Sequence, residues 1–140
     1  MTDFVMYTIP GKPPALQRAR ISFRHQTPYN PQKELQLIQR ITLAEQHLLR
    51  PMFKGPIAVR IIYYMPISNS SVNKKKGIAE GVYHSATPDL DNLIKMTCDV
   101  MQGVLYANDC LISKIKARKV YSKDPRTEIF IREIHEKTSK

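Results

Sequence analysis

Residues 56–65, Pro-Ile-Ala-Val-Arg-Ile-Ile-Tyr-Tyr-Met, constrain the fold more than any other part of the chain. The segment is β-branched and aromatic and is apolar at nearly every position, so both faces of the strand it forms must be covered. That describes a central strand, ended by Pro66. Its partners are found on either side in the sequence. Residues 4–9 (Phe-Val-Met-Tyr-Thr-Ile) read as a short strand stopped by Pro10-Gly11. Residues 111–121 and 127–134 read as two more, a terminal hairpin about a turn at Lys123-Asp124-Pro125.

Two helices complete the pattern. Asn30-Pro31 is an N-cap followed by proline at the first helical position, which predicts a helix to about Leu49. Leu37, Ile41, Ala44 and Leu48 recur at helical spacing, and this stripe is assigned to the core. Residues 89–104 form the second helix. Leu90, Leu93, Ile94, Thr97, Cys98 and Met101 share one face, while Asp91, Lys95 and Asp99 recur every fourth residue as a polar stripe. Residues 11–30 read as a loop rich in proline, arginine and glutamine, and residues 67–87 as a long basic loop. The expected architecture is a single α+β domain over residues 1–140. Its mixed sheet packs with two main helices in the order β-α-β-α-β-β, and residues 135–140 form a frayed tail. A chain of 140 residues has room for one core.

Several classes of function are set aside. No apolar run approaches the ~20 residues that span a bilayer. The opening Met-Thr-Asp-Phe-Val-Met-Tyr-Thr-Ile-Pro lacks the basic start and apolar stretch of a signal peptide, so a cytoplasmic location without membrane association is expected. Cys98 and Cys110 are read as two reduced thiols. His25, His47, His84 and His135 show no ligand spacing and are assigned to loops or surface. No glycine-rich phosphate loop is present, so no nucleotide cofactor is expected.

Charge points to a polyanion. The chain carries 22 Lys and Arg against 12 Asp and Glu, a net charge of +10. The excess is spread along the chain rather than gathered in an arm, which suits a broad nucleic-acid face. Candidate phosphate contacts are Arg18, Arg20, the run Lys74-Lys75-Lys76, and Lys114, Lys116 and Arg118, whose alternation puts them on one face of a strand.

Against this background Asp89, Asp91 and Asp109 fall within 21 positions of one another. A structural reading is available: Asp89 sits where an N-cap belongs, and Asp91 in the first turn favours the helix dipole. The functional reading is a site for a hard divalent cation, Mg2+ or Mn2+ in its place, which takes oxygen ligands. Without a cation three such carboxylates repel one another. Lys95, one turn after Asp91, reaches the same site and can stabilise charge on a phosphodiester transition state. The spacing is not that of an EF-hand, which needs a sixth-position Gly and a twelfth-position Glu. Taken together the residues favour phosphodiester chemistry. A nuclease acting on other branched or duplex DNA remains open, as does a non-catalytic nucleic-acid-binding domain whose acids only cap a helix.

The string Pro88-Asp89-Leu90-Asp91-Asn92-Leu93-Ile94-Lys95, followed by Asp99, Gly103-Val104 and Asn108-Asp109, resembles the signature of the RusA family of Holliday junction resolvases. The N-terminal Ile9-Pro10-Gly11-Lys12-Pro13-Pro14, Gln17-Arg18-Ala19-Arg20 and Thr27-Pro28-Tyr29-Asn30-Pro31 are similar to that family's opening pattern. The resemblance spans roughly residues 5–134. It implies a small homodimeric, Mg2+-dependent endodeoxyribonuclease that cuts four-way DNA junctions by paired nicks, of a kind common in bacteria, phages and prophages. By position Asp89, Asp91 and Asp109 match the family's catalytic, metal-binding acids, and Lys95 its essential lysine. Gln17, Ala19, Thr87 and Asn108 depart from the pattern, standing where Lys, Pro, Lys and Asp are usual.

Overall fold

The structure, a computed structural model, describes residues 4–17, 20–21, 28–48, 50–67 and 77–135; the side chains of residues 20, 21, 28 and 29 lie outside that description. Arg18, the side chain of Arg20, Lys74, Lys75, Lys76 and the tail beyond residue 135 therefore fall outside the described residues. The elements are β1 (Val5–Pro10), β2 (Arg20–Ile21), β3 (Pro28–Tyr29), α1 (Lys33–His47), β4 (Ile57–Pro66), α2 (Leu90–Met101), a short 3-10 turn at Asp109–Leu111, β5 (Ile112–Ser122) and β6 (Arg126–Glu133). The class is α+β, with a mixed four-stranded sheet and two helices. The loop expected at 11–30 contributes one addition, a two-residue antiparallel pairing of β2 with β3.

The sheet runs β1-β6-β4-β5. β1 pairs antiparallel with β6, β6 antiparallel with β4, and β4 parallel with β5. β4 is thus interior in strand order, but the helices cover only one of its faces, and Arg60 on the other is exposed, so the expectation that both faces are covered is not met. β5 and β6 are adjacent in sequence but not in the sheet, so they do not form the expected hairpin. β4 lies between them, and Lys123–Pro125 carries the chain across its end. Two strand spacings are about 10 Å, well within the reach of so short a connection.

Both helices lie on the same side of the sheet. Tyr7 and Ile9 of β1, Ile57, Val59, Ile61, Tyr63 and Met65 of β4, and Ile129 and Ile131 of β6 form one core with Leu43 of α1 and Leu93, Met96, Val100 and Met101 of α2. Buried polar groups there are paired, as burial demands: Tyr63 Oη lies 2.7 Å from Thr97 Oγ1, and Thr97 also donates to the Leu93 carbonyl. The apolar face assigned to α2 is the face it buries. The helix stops at Met101, short of residue 104, because Gly103 turns the chain into the left-handed region at φ +83°.

α1 differs from expectation in two respects. It starts at Lys33 with Gln32 as its cap residue, not Asn30. Asn30 Oδ1 instead accepts from the Gln32 amide at 2.9 Å, a side-chain turn that precedes the helix. The stripe assigned to the core is also turned outward: Leu37, Ile41 and Leu48 are 57%, 49% and 75% exposed, and the buried residues are Gln39, Leu43 and His47. Polar partners decide this orientation. His47 Nδ1 shares a 2.6 Å hydrogen bond with the buried Tyr7 hydroxyl, Arg40 donates to the Gln102 and Asp99 carbonyls, and the Gln46 amide spans the Thr8 backbone. His47 is consequently a core residue rather than a surface one.

Candidate active site

The chain enters α2 through a braced segment. Lys119, on the helix-facing side of β5, donates from Nζ to the Pro88 carbonyl at 2.7 Å and to that of Ala86. The Leu16 amide donates to the Asn92 carbonyl at 3.0 Å, docking the N-terminal loop on the first turn. Gln32 clamps the same loop, donating to the Ala15 carbonyl and accepting from the Gln17 amide. A groove of about 610 Å³ follows, lined by Lys12–Gln17, the start of α1, Thr87 and Pro88. It opens beside the residue before Asp89.

Asp89 is the cap residue of α2, with extended backbone, yet its side chain makes no cap hydrogen bond. The carboxylate is exposed, so capping does not account for it. Asp91 lies in the first turn, with Lys95 Nζ 3.9 Å from its Oδ2 one turn on. Both side chains are well exposed, so this ion pair contributes little to stability. The helix N-terminus favours carboxylates at both acidic positions.

Asp109 is positioned from the other end of the helix. Its amide donates to Gln102 Oε1 at 2.8 Å, and its Oδ1 accepts from the Tyr106 hydroxyl at 2.6 Å. Asn108 caps the 3-10 turn, accepting from the Cys110 amide at 2.9 Å, a role that Asp also fills well. Burial first, and then the Asp109 charge, hold the Asp99 carboxyl above its ordinary range, while Arg40 opposes them. Burial, with Asp109 and Asp99 adding to it, pushes the Cys98 thiol up to about 11.

The structure therefore brings Asp91 and Lys95 together and sets the Asp109 charge where it bears on Asp99. It does not gather Asp89, Asp91 and Asp109 at one point: among the described residues no three His, Cys, Asp or Glu side chains converge to hold one ion. The donors at the helix start still suit a hard divalent cation. Asp89 and Asp91 present oxygens to solvent, and Mg2+ is commonly held by one or two carboxylates, its shell completed by water and substrate phosphate.

Lys114, Lys116 and Arg118 are exposed along β5 as expected, but on the face of the sheet turned away from both helices. Lys119 went unnoticed in the sequence, although its odd place beside the even-numbered row marks it for the opposite face. Tyr106, Gln102 and Gln32 carried no sequence signal, since their roles come from partners distant in the chain or from loop geometry.

The model of the Endodeoxyribonuclease RusA family matches residues 10–132. A Bacillus subtilis (strain 168) relative, the uncharacterized protein YqaN, is 34% identical over 139 residues, covering 94% of this chain and 98% of its own.

Proposed function

The chain belongs to the RusA endodeoxyribonuclease family, and from that premise we propose that it is a Mg2+-dependent, structure-selective endodeoxyribonuclease. Its proposed task is to resolve Holliday junctions by paired symmetric nicks during recombination and repair. The observation that supports this most is the pair of exposed acids opening α2, one of them a cap residue whose carboxylate caps nothing, with Lys95 beside them. In this reading Asp89 and Asp91 hold the cation, and Asp109, which the chain does not bring to the same point among the described residues, is proposed as the third acid by its match to the family's pattern. When bound, the ion supplies Lewis-acid activation of the phosphodiester and of the attacking water.

The chain's own groups do the rest. Lys95 offers an ammonium to the charge that develops on the phosphorus oxygens. Tyr106 and Gln102 fix the rotamer and backbone of Asp109. Lys119 fixes the approach to Asp89. Arg18, Arg20 and the N-terminal groove contact phosphates, which position DNA without reading its sequence.

Two symmetric nicks need two active sites, and one chain carries one acidic set, so the working unit is proposed as a homodimer whose two-fold axis matches that of the junction. The proposed location is the bacterial cytoplasm, with the gene carried by the host, a phage or a prophage. Among the described residues, no helix is long and apolar enough to cross a membrane.

The test is cleavage of a labelled synthetic four-way junction beside a linear duplex of equal length, with Mg2+, Mn2+ or EDTA. Metal-dependent, paired nicks in the junction support the reading. Equal cutting of the duplex makes the chain a less selective nuclease, and metal-independent binding without cutting overturns catalysis. Sedimentation equilibrium, with and without junction, tests the dimer; a monomer in both conditions overturns it.

A further inference from the structure

The face of the sheet that the helices leave open is built as a basic and aromatic surface. The register sets its rows. Phe130, Arg60 and Lys116 lie side by side across β6, β4 and β5, and the next row in one direction is Glu128, Ile62 and Arg118. Arg132, Ala58 and Lys114 form the row on the other side. Six cations stand on this face against a single acid among the described strand residues. That acid, Glu128, is already engaged by the Tyr64 hydroxyl at 2.9 Å and by Arg126 at 3.2 Å. Arg60, Lys114, Lys116, Arg118 and Arg132 form no ion pair with a described carboxylate.

Three of the guanidinium groups lie over aromatic rings. Arg60 and Arg132 approach the Phe4 ring at 5.1 and 5.3 Å, and Arg126 covers Tyr64 at 3.7 Å. Residues 81–84 run along the far end of β5 through hydrogen bonds to Tyr121 and Lys119. They bring Tyr83 opposite Val120, on this same face. Tyr83 is 69% exposed. It walls a cleft of about 510 Å³ with Arg60, Ile62, Lys116, Arg118 and Phe130.

We infer that this face is a second nucleic-acid surface, which holds an unpaired DNA strand with phosphates on Arg60, Lys116 and Arg118 and a base against Tyr83. Charge selects the partner: a second copy of this chain would set like charges against each other, whereas a polyanion neutralises them. Shape selects the strand. A concave site of this volume takes a nucleotide, and an exposed ring stacks a base only when that base is unpaired. The inference draws on charge, register and shape alone and does not rest on the cleavage reading.

The experiment is fluorescence-anisotropy titration, in EDTA, of labelled oligodeoxythymidylate and of a blunt duplex. Tyr83→Ala is expected to weaken oligomer binding on the order of tenfold, while Tyr83→Phe, which keeps the ring, binds as wild type. Lys116→Ala with Arg118→Ala is expected to flatten the dependence of log Kd on log salt by about 0.7 per lost phosphate contact. All these side chains are exposed, and matching thermal unfolding verifies the fold. Oligomer binding unchanged in Tyr83→Ala and in the double variant overturns the inference. So does an equal loss on the blunt duplex, which marks a general duplex surface. Since cleavage is absent in EDTA, failure of the nuclease reading appears separately, as an uncut junction in Mg2+.

Discussion

Lys119 Nζ reaches across from β5 to the Pro88 carbonyl, 2.7 Å away, and so ties a sheet strand to the residue that precedes Asp89. The same ammonium holds the Ala86 carbonyl. Replacing it by Met keeps the apolar stem and removes both bonds. A hydrogen bond to a charged group is worth about 1.5–3 kcal/mol, so Lys119→Met is expected to lose stability of that order in urea unfolding. Junction cleavage falls through kcat more than through KM, because what loosens is the placement of Asp89 rather than the DNA surface. Wild-type kcat and stability together would show that the segment holds itself.

Asp91→Asn keeps the shape of the first turn and removes one ligand charge. Cleavage in Mg2+ is expected to drop below detection while junction binding is retained or tightened, since the surface becomes less negative. Gel-shift and cleavage assays on the same preparation separate the two effects. Cutting at the wild-type rate removes Asp91 from the site.

Lys95→Ala tests the neighbouring cation. One preorganised charge at a transition state is typically worth about 10²–10³ in rate. Single-turnover rates at saturating enzyme are expected to fall by that factor with little change in Kd. A normal single-turnover rate with weakened binding places Lys95 on DNA instead.

His84 is expected to make the fold sensitive to mild acid. Its ring packs on Tyr121 at 4.7 Å between centroids, and its Nδ1 is buried without a partner among the described residues. Burial, and then the Lys119 charge, hold its pKa below the usual histidine value. The unfolded chain therefore binds the proton more readily, and stability is lost as pH falls from about 6.5 through the depressed folded value. His84→Gln is expected to flatten this part of the stability profile, measured by urea unfolding from pH 7.5 to 5. An unchanged profile assigns the acid sensitivity to other groups.

The two thiols differ in reactivity. Cys110 is exposed, whereas Cys98 is partly buried with its pKa pushed up to about 11. The thiolate is the nucleophile, so iodoacetamide at neutral pH is expected to modify Cys110 first, as mass mapping of partial digests can show. Faster labelling of Cys98 would mean that α2 separates readily from its neighbours.

What was legible in the sequence follows from which signals are local. β4 was readable because a β-branched and aromatic run, interrupted only by Arg60, has one use, and α2 because its apolar face and acidic start agree. α1 was readable as a helix but not in its orientation. The spacing of Leu37, Ile41 and Leu48 marks a stripe, while the inward side is chosen by Tyr7 and Asp99, some 40 and 60 residues away. The same limit applies at the candidate site. Asp89 stands in the cap position that its sequence indicates, but only the structure shows that its carboxylate does not cap. The placement of Asp109 depends on how Tyr106 and Gln102 return the chain to the helix.

The position of β6 has a consequence for synthesis. Among the described strands it is the latest in sequence and the second in the sheet, and β1 is joined to β4 only through it. Until the ribosome has released residues 126–133, β1 has no neighbour and β4 lacks one whole edge. The nascent chain can form α2 and the parallel β4–β5 pair, but the core stays open to water until β6 has emerged and inserted between β1 and β4. Loss of β6, by truncation or by proteolysis near Pro125, would leave an unpaired β1 and a separate β4–β5 pair rather than a slightly smaller domain.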